Sequence, residues 1–207
     1  MTNVKGLLVP VALLLLLFGI AMAEDRKVIS EKNEYGGQTI EITYSKDDKD
    51  FENKIRTIIY LDGNGKTLKS ESHSTDKVAM ENGDNKVITY YDANGKQSKL
   101  ENFYTDMFSN EYGVTRSAAH FDTAGNQIKM ENFYTDKLSG ETGYNRQVTY
   151  FEGGGKRTKY ENFYTDKFAK AEGYNRLVVY VDAMGKATKR EFYKDDVLIE
   201  TKIPQGR

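Results

Sequence analysis

The sequence predicts an all-β repeat protein: six tandem 30-residue β-hairpin units forming an extended antiparallel meander, open or partly rolled. Three observations carry this. The hexapeptide Glu-Asn-Phe-Tyr-Thr-Asp occurs at 101–106, 131–136 and 161–166, thirty residues apart each time. A Gly-rich segment keeps the same period: Asp62-Gly-Asn-Gly-Lys66, Asp92-Ala-Asn-Gly-Lys96, Asp122-Thr-Ala-Gly-Asn126, Glu152-Gly-Gly-Gly-Lys156 and Asp182-Ala-Met-Gly-Lys186. Between these segments the chain is rich in aromatic and β-branched residues bounded by Gly and Asp, which is how strands are punctuated. A fixed period of this length marks a repeat architecture. No stretch of the repeat keeps a sustained helical period.

The first 23 residues read as an address. Lys5 precedes an apolar run of about fifteen residues, and Ala21-Met22-Ala23 supplies a small-x-small cleavage site before Glu24-Asp25-Arg26-Lys27. A signal peptide cleaved after Ala23 is the expectation; the competing reading is an uncleaved membrane anchor, since residues 6–23 reach the lower limit of a spanning helix. The chain has no cysteine, which removes disulfides, thiolate metal sites, a cysteine nucleophile and a lipid-anchored cysteine. Export without cysteine fits a bacterial periplasmic or secreted protein. Without the leader, 29 basic face 31 acidic side chains, and this near balance argues against a general nucleic-acid binder.

Residues 24–30 form a lead-in, and 31–207 a single repeat domain with units 31–60, 61–90, 91–120, 121–150, 151–180 and a truncated 181–207. Each unit reads as two strands, giving eleven or twelve in all. One is typified by Lys99-Leu-Glu-Asn-Phe-Tyr-Thr105, the other by Arg146-Gln-Val-Thr-Tyr-Phe151. The D-x-x-G-K segment suits a type I turn followed by a left-handed glycine, which returns the chain antiparallel with a bulge. The other connection, such as Lys137–Gly143, is seven residues long. Its second position is apolar in the central units (Val78, Phe108, Leu138, Phe168), so this loop is expected to fold back on the sheet.

Columns recur through the units. Lysine stands at 69, 99, 129, 159 and 189, and glutamate at 41, 71, 101, 131, 161 and 191; Arg, Lys, Arg, Arg, Arg fill 56, 86, 116, 146 and 176. Because strand side chains alternate, Phe103 and Tyr104 point to opposite faces. Both faces are therefore expected to mix aromatics with charge, tied by cross-strand pairs. Charged columns on the strands argue against a lipid-facing outer-membrane barrel, which needs a continuous apolar belt.

The segments Tyr90-Tyr-Asp-Ala-Asn-Gly-Lys96 and Tyr150-Phe-Glu-Gly-Gly-Gly-Lys156 resemble three families of β-hairpin repeats. These are the YD (RHS-type) repeats of bacterial surface and toxin proteins, the MORN-like repeats, and the choline- and glucan-binding repeats of bacterial surface proteins. The resemblance covers about seven residues of each unit and implies a hairpin at that point. The choline-type cage is built on Trp, which this chain lacks.

Candidate chemistry is sparse. His73 and His120 fall in aromatic columns, where other units carry Phe103 or Tyr90, and read as repeat drift. Glu152–Thr158 lacks the order of a phosphate loop and no helix follows it. Asp47, Asp48, Asp50 and Glu52 crowd one stretch without the glycine a calcium loop needs, and read as a solvated loop. The Glu and Arg columns recur in every unit, as a structural ladder would and a catalytic pair would not. No catalytic residue, metal or cofactor is expected. The remaining candidates are the repeated aromatics Phe103, Tyr104, Phe133, Tyr134, Phe163 and Tyr164, with Tyr144 and Tyr174 close in sequence. They are expected either to pack across strands or to bind. The sequence therefore leads to an exported, non-enzymatic binding or scaffold module engaging an envelope or extracellular protein; the alternative is a carbohydrate-binding module that stacks polysaccharide on the Tyr/Phe columns. Multivalent contact through the repeats suits either.

Overall fold

Each Asp-x-x-Gly-Lys segment reverses the chain by local chemistry. In the computed structural model, which describes residues 25–44 and 53–204, Asp62 Oδ1 accepts the backbone N–H groups of Asn64 and Lys66, both at 2.9 Å. Gly65 follows at φ +81°, a left-handed conformation that costs glycine nothing. The same arrangement recurs at Asp92, Asp122 and Asp182. Where Glu152 replaces Asp, two successive left-handed glycines, Gly154 and Gly155, make the turn instead. The strand register slips at each of these turns, so the expected bulge is present.

The strands are β1 (Asp25–Ser30), β2 (Gly36–Thr43), β3 (Lys54–Asp62), β4 (Thr67–Ser74), β5 (Asp84–Tyr91), β6 (Gln97–Tyr104) and β7 (Val114–Phe121). They continue with β8 (Gln127–Tyr134), β9 (Tyr144–Glu152), β10 (Lys156–Tyr164), β11 (Arg176–Val181), β12 (Ala187–Lys194) and β13 (Val197–Lys202). All thirteen lie in one sheet in sequence order, each antiparallel to the next. The predicted all-β meander is thus the observed fold, and among the described residues it is open, with β1 and β13 at its edges. The described residues hold thirteen strands rather than eleven or twelve, because the lead-in pairs with β2 and the truncated last unit adds β13 through a two-residue turn. Asp195 and Asp196 make that turn at φ +48° and +65°. The edges carry exposed apolar side chains: Val28 and Ile29 on β1, and Val197, Leu198 and Ile199 on β13.

The seven-residue connections are corrected. They are short α-helices: α1 (Asp76–Asn82), α2 (Asp106–Tyr112), α3 (Asp136–Thr142) and α4 (Asp166–Glu172). Thr75, Thr105, Thr135 and Thr165 cap them, each side-chain oxygen accepting the N–H three residues on. Asp follows in each first turn, and a left-handed glycine (83, 113, 143, 173) closes each helix. The foldback expectation holds within this new element. Phe108 stacks on Tyr104 at 4.6 Å between ring centroids, and Phe168 stacks on Tyr164 at 4.5 Å.

Successive helices also touch. The Thr105 N–H donates to the Gly83 carbonyl at 2.7 Å, Thr135 to Gly113 at 2.8 Å, and Thr165 to Gly143 at 2.9 Å. A Cβ on Gly113 would stand 2.6 Å from Leu138, and one on Gly143 would enter the Phe168 ring. The glycine that ends one helix is thus the seat for the apolar residue of the next. A row of helices forms at one end of the strands, and a row of turns at the other.

Burial in so thin a molecule is spread along the sheet. Ile40, Ile42, Tyr44 and Leu61 form an N-terminal cluster with Ile59 packed against it. Ile88, Ala118, Val148 and Val178 fill one buried column on the opposite face, and Val179 is 1% exposed. The leader 1–23 and the carboxylates Asp47, Asp48, Asp50 and Glu52 lie outside the described residues. No helix among the described residues is long and apolar enough to cross a membrane.

Candidate functional site

Strand alternation and the observed register sort the repeated columns. Ile58, Glu71, Ile88, Glu101, Ala118, Glu131, Val148, Glu161, Val178 and Glu191 are directly paired across the sheet and so share one face. The Lys and Arg columns stand two residues away on the same side. The expectation of charge mixed into both faces is therefore corrected: aromatics occupy both, but the repeated charges gather on one.

On that ion-paired face each glutamate is a hub. Glu101 is buried, yet Lys99 Nζ lies 2.8 Å away, Arg116 Nη1 3.7 Å, and the Tyr90 hydroxyl donates to it at 3.1 Å. Burial pushes this carboxyl up, but the Lys99 contact, the Tyr90 hydrogen bond and Arg116 outweigh it and hold the group below its ordinary value. Burial and the Glu101 carboxylate together push Tyr90 up to about 12. Glu161 repeats the pattern with Lys159 at 2.9 Å and Arg176 at 3.2 Å. His120 takes the Tyr place beside Glu131, its Nε2 3.1 Å from the carboxylate, and burial and Lys129 push its pKa down. His73 takes a Phe place, 3.2 Å from Arg56 Nη2. Both sit in the columns from which the sequence reads them as drifted. Among the described residues, no group of three or more His, Cys, Asp and Glu is placed to hold a metal.

The eight aromatic candidates divide between the faces. Phe103, Phe133 and Phe163 lie on the ion-paired face, covered by cations: Lys86 over Phe103 at 4.1 Å, Arg116 over Phe133 at 3.9 Å, Arg146 over Phe163 at 3.8 Å. Tyr104, Tyr134, Tyr144, Tyr164 and Tyr174 lie on the helix-bearing face. Tyr134, Tyr144, Tyr164, Tyr174 and Phe192 form an edge-to-face run, with successive centroids 5.4, 6.0, 5.3 and 4.9 Å apart. Tyr104 joins Ser117 by a 2.8 Å hydroxyl contact. The structure brings these five tyrosines into cross-strand packing and does not bring the three phenylalanines to them.

The helix-bearing face also holds an open cleft of about 320 Å³, which runs obliquely over β10 from Tyr144 on β9 to the turn between β11 and β12. Gln147, Arg157, Tyr160 and Asn162 line it, and Val181, Gly185 and Ala187 close the far wall. Gln147 Nε2 donates to Asn162 Oδ1 at 2.9 Å, and Asn162 is 8% exposed. Gly185 lies beside Arg157; a Cβ there would make ordinary contact with its guanidinium at 3.5 Å. Sequence reasoning missed Gln147, Arg157, Tyr160 and Asn162. Three of them stand at positions that vary from unit to unit, and that variability is the signal that could have drawn attention to them. Arg157 stands where other units have Thr67, Gln97, Gln127 and Ala187. Tyr160 replaces Ser70, Leu100, Met130 and Arg190, and Gln147 replaces Thr57, Val87, Ser117 and Leu177.

No protein-family model matches the chain, and no curated protein matches it.

Proposed function

We propose that the protein is an exported, non-enzymatic binding module that engages a partner in the bacterial envelope or extracellular space through the helix-bearing face of its sheet. One observation carries this reading: the charges of the opposite face are satisfied by one another, whereas the helix-bearing face offers apolar and amide groups to solvent. Met80, Met107 and Tyr112 stand exposed on α1 and α2, at 70%, 54% and 57%. Units two strands wide repeat about every 10 Å across the sheet, so weak contacts add along a long partner. A scaffold role for an envelope protein follows most directly from the exposed helix row.

The cleft beside Tyr144 favours a second reading, a polysaccharide as the partner. Aromatic rings beside amides are the groups that stack a sugar ring and bond its hydroxyls. A pull-down on envelope protein, peptidoglycan and capsular polysaccharide separates the two. Capture of one protein, lost when Met107 and Tyr112 are changed to Ser, supports the scaffold. Retention on a polysaccharide, competed by free sugar and indifferent to those changes, supports the second reading. Failure to retain any of these materials overturns the proposal.

A further inference from the structure

We propose that the cleft over β10 is a single binding site for an acidic saccharide, with Arg157 as the group that reads the acid. The inference rests on the polysaccharide reading above and names its ligand class and its place.

The argument starts from repetition. In an array of similar units, a side chain that stabilises a hairpin is wanted in every unit, and the Lys, Glu, Tyr and Arg columns obey this rule. A binding site for a small group is wanted once. The residues of this cleft stand at positions that vary from unit to unit, so this set occurs once: Gln147, Arg157 and Tyr160 come together from β9 and β10, and the small Ala187 lies on the far wall. The turn beside them breaks the pattern too, with Glu152 and three glycines where other units have an Asp-capped turn.

The chemistry of the lining selects the ligand. Tyr144 and Tyr160 contribute aromatic surface to the lining, the kind of group that packs against the C–H surface of a pyranose. Gln147, fixed in orientation by its hydrogen bond to the buried Asn162, presents the rest of its amide to a neighbouring hydroxyl. Arg157 differs from the cations of the ion-paired face. Those lie against a glutamate, whereas no carboxylate among the described residues lies within ion-pair distance of Arg157. Its guanidinium lies 5.4 Å from the Tyr160 ring centroid, and its planar fork matches a carboxylate in two parallel hydrogen bonds. A volume of about 320 Å³ is at the small end of ligand sites, enough for one or two sugar rings. Aromatic platform, amide pair and unpaired arginine together describe a uronic-acid residue better than a neutral sugar.

The test uses the purified full chain with trisaccharides of galacturonic, glucuronic and mannuronic acid, and neutral galactose and glucose trisaccharides as controls, followed by calorimetry. The expected result is binding of at least one acidic trisaccharide. Arg157→Gln should weaken it by roughly tenfold or more, as loss of a charge-assisted contact implies, with Arg157→Lys in between. Ala187→Gln, which places there the residue of two other units and fills the cleft, should weaken it likewise; unchanged thermal unfolding of both variants shows that the fold is kept. Acidic binding indifferent to Arg157→Gln and Ala187→Gln overturns the site while leaving the polysaccharide reading in place. Preference for the neutral trisaccharides overturns the acid selectivity. Binding of none of the five overturns the inference, and the polysaccharide arm of the pull-down then tells whether that broader reading falls with it.

Discussion

At one end of the strands the chain reverses through five-residue turns, and at the other through seven-residue helices. Both devices rest on a polar side chain that accepts backbone N–H groups and on a glycine at positive φ. They differ in what lies next to the glycine. Gly65, Gly95 and Gly125 have nothing within 4 Å of where a Cβ would be, whereas Gly83, Gly113 and Gly143 are covered by Phe108, Leu138 and Phe168 of the following helix. The turns are therefore independent of one another, and the helices form a chain of contacts. In a sheet one layer thick, where few side chains are fully buried, the helix row is where neighbouring units are coupled beyond their shared backbone ladder.

The largest effect that tests this contrast is at Gly143. Gly143→Ala must adopt a left-handed conformation and displace the Phe168 ring, and should cost about 2–5 kcal/mol in urea unfolding. Gly125→Ala pays only the backbone cost, about 1–2 kcal/mol. Equal losses at the two glycines would show that the helix row couples nothing. A double-mutant cycle sharpens the point. Phe168→Ala alone should cost about 2–4 kcal/mol, since it removes the stack on Tyr164. In that background Gly143→Ala should fall to the cost seen at Gly125, because the ring it struck is gone. Smaller still is Thr135→Ala, which removes the cap of α3 and should cost about 1 kcal/mol, with the loss of amide protection reaching α2 and α4.

The pH dependence is the smallest effect per group, and it falls on the turn end and the ion-paired face. Backbone N–H donors hold Asp62 and Asp92 below the ordinary 3.8, and at Asp122 the Asn126 side chain leads the same lowering. Glu101, Glu131 and Glu161 lie below 4.5 because their Lys contacts outweigh burial. A lowered folded pKa means stability that is present above the unfolded value and lost as pH falls through the folded one. Urea midpoints should therefore decline from about pH 4.5 downward. In alkali the sign reverses. Tyr60, Tyr90 and Tyr150 are raised from 10.0 to about 12, so their contribution holds below pH 10 and is lost between 10 and 12. A flat profile across both windows would remove the Tyr–Glu–Lys hub as a source of stability.

The turn end was legible in the sequence and the helix end was not, for a physical reason. Asp-x-x-Gly-Lys encodes its geometry within five residues. A seven-residue helix makes fewer than two turns, too few for a hydrophobic period to register. Its boundary chemistry was nonetheless written out, with Thr-Asp at the start and Gly eight residues after the Thr in each of four units. The charge segregation was also readable, since Lys99 and Glu101 differ by two and must share a face. The cross-strand partner Arg116 was not, because it needs the register between β6 and β7. The cleft was the least legible part. Arg157 and Ala187 are thirty residues apart and line one cleft only because β10 and β12 flank the same strand, β11.

Thirteen is an odd number, and in a strictly alternating meander the first and last strands run in the same direction. A second copy laid with the same face up and its β1 against the β13 edge would therefore pair in parallel, with the slanted and weaker ladder of that arrangement. Two β13 edges can instead meet antiparallel about a two-fold axis, extending the native hydrogen-bond pattern without a fault and closing at two copies at that edge. The matching encounter of two β1 edges is spoiled by the bulge between Val28 and Ser30. Strand parity thus acts as a brake on head-to-tail polymerisation of copies that keep one face up, in a sheet that has no barrel closure to remove its edges.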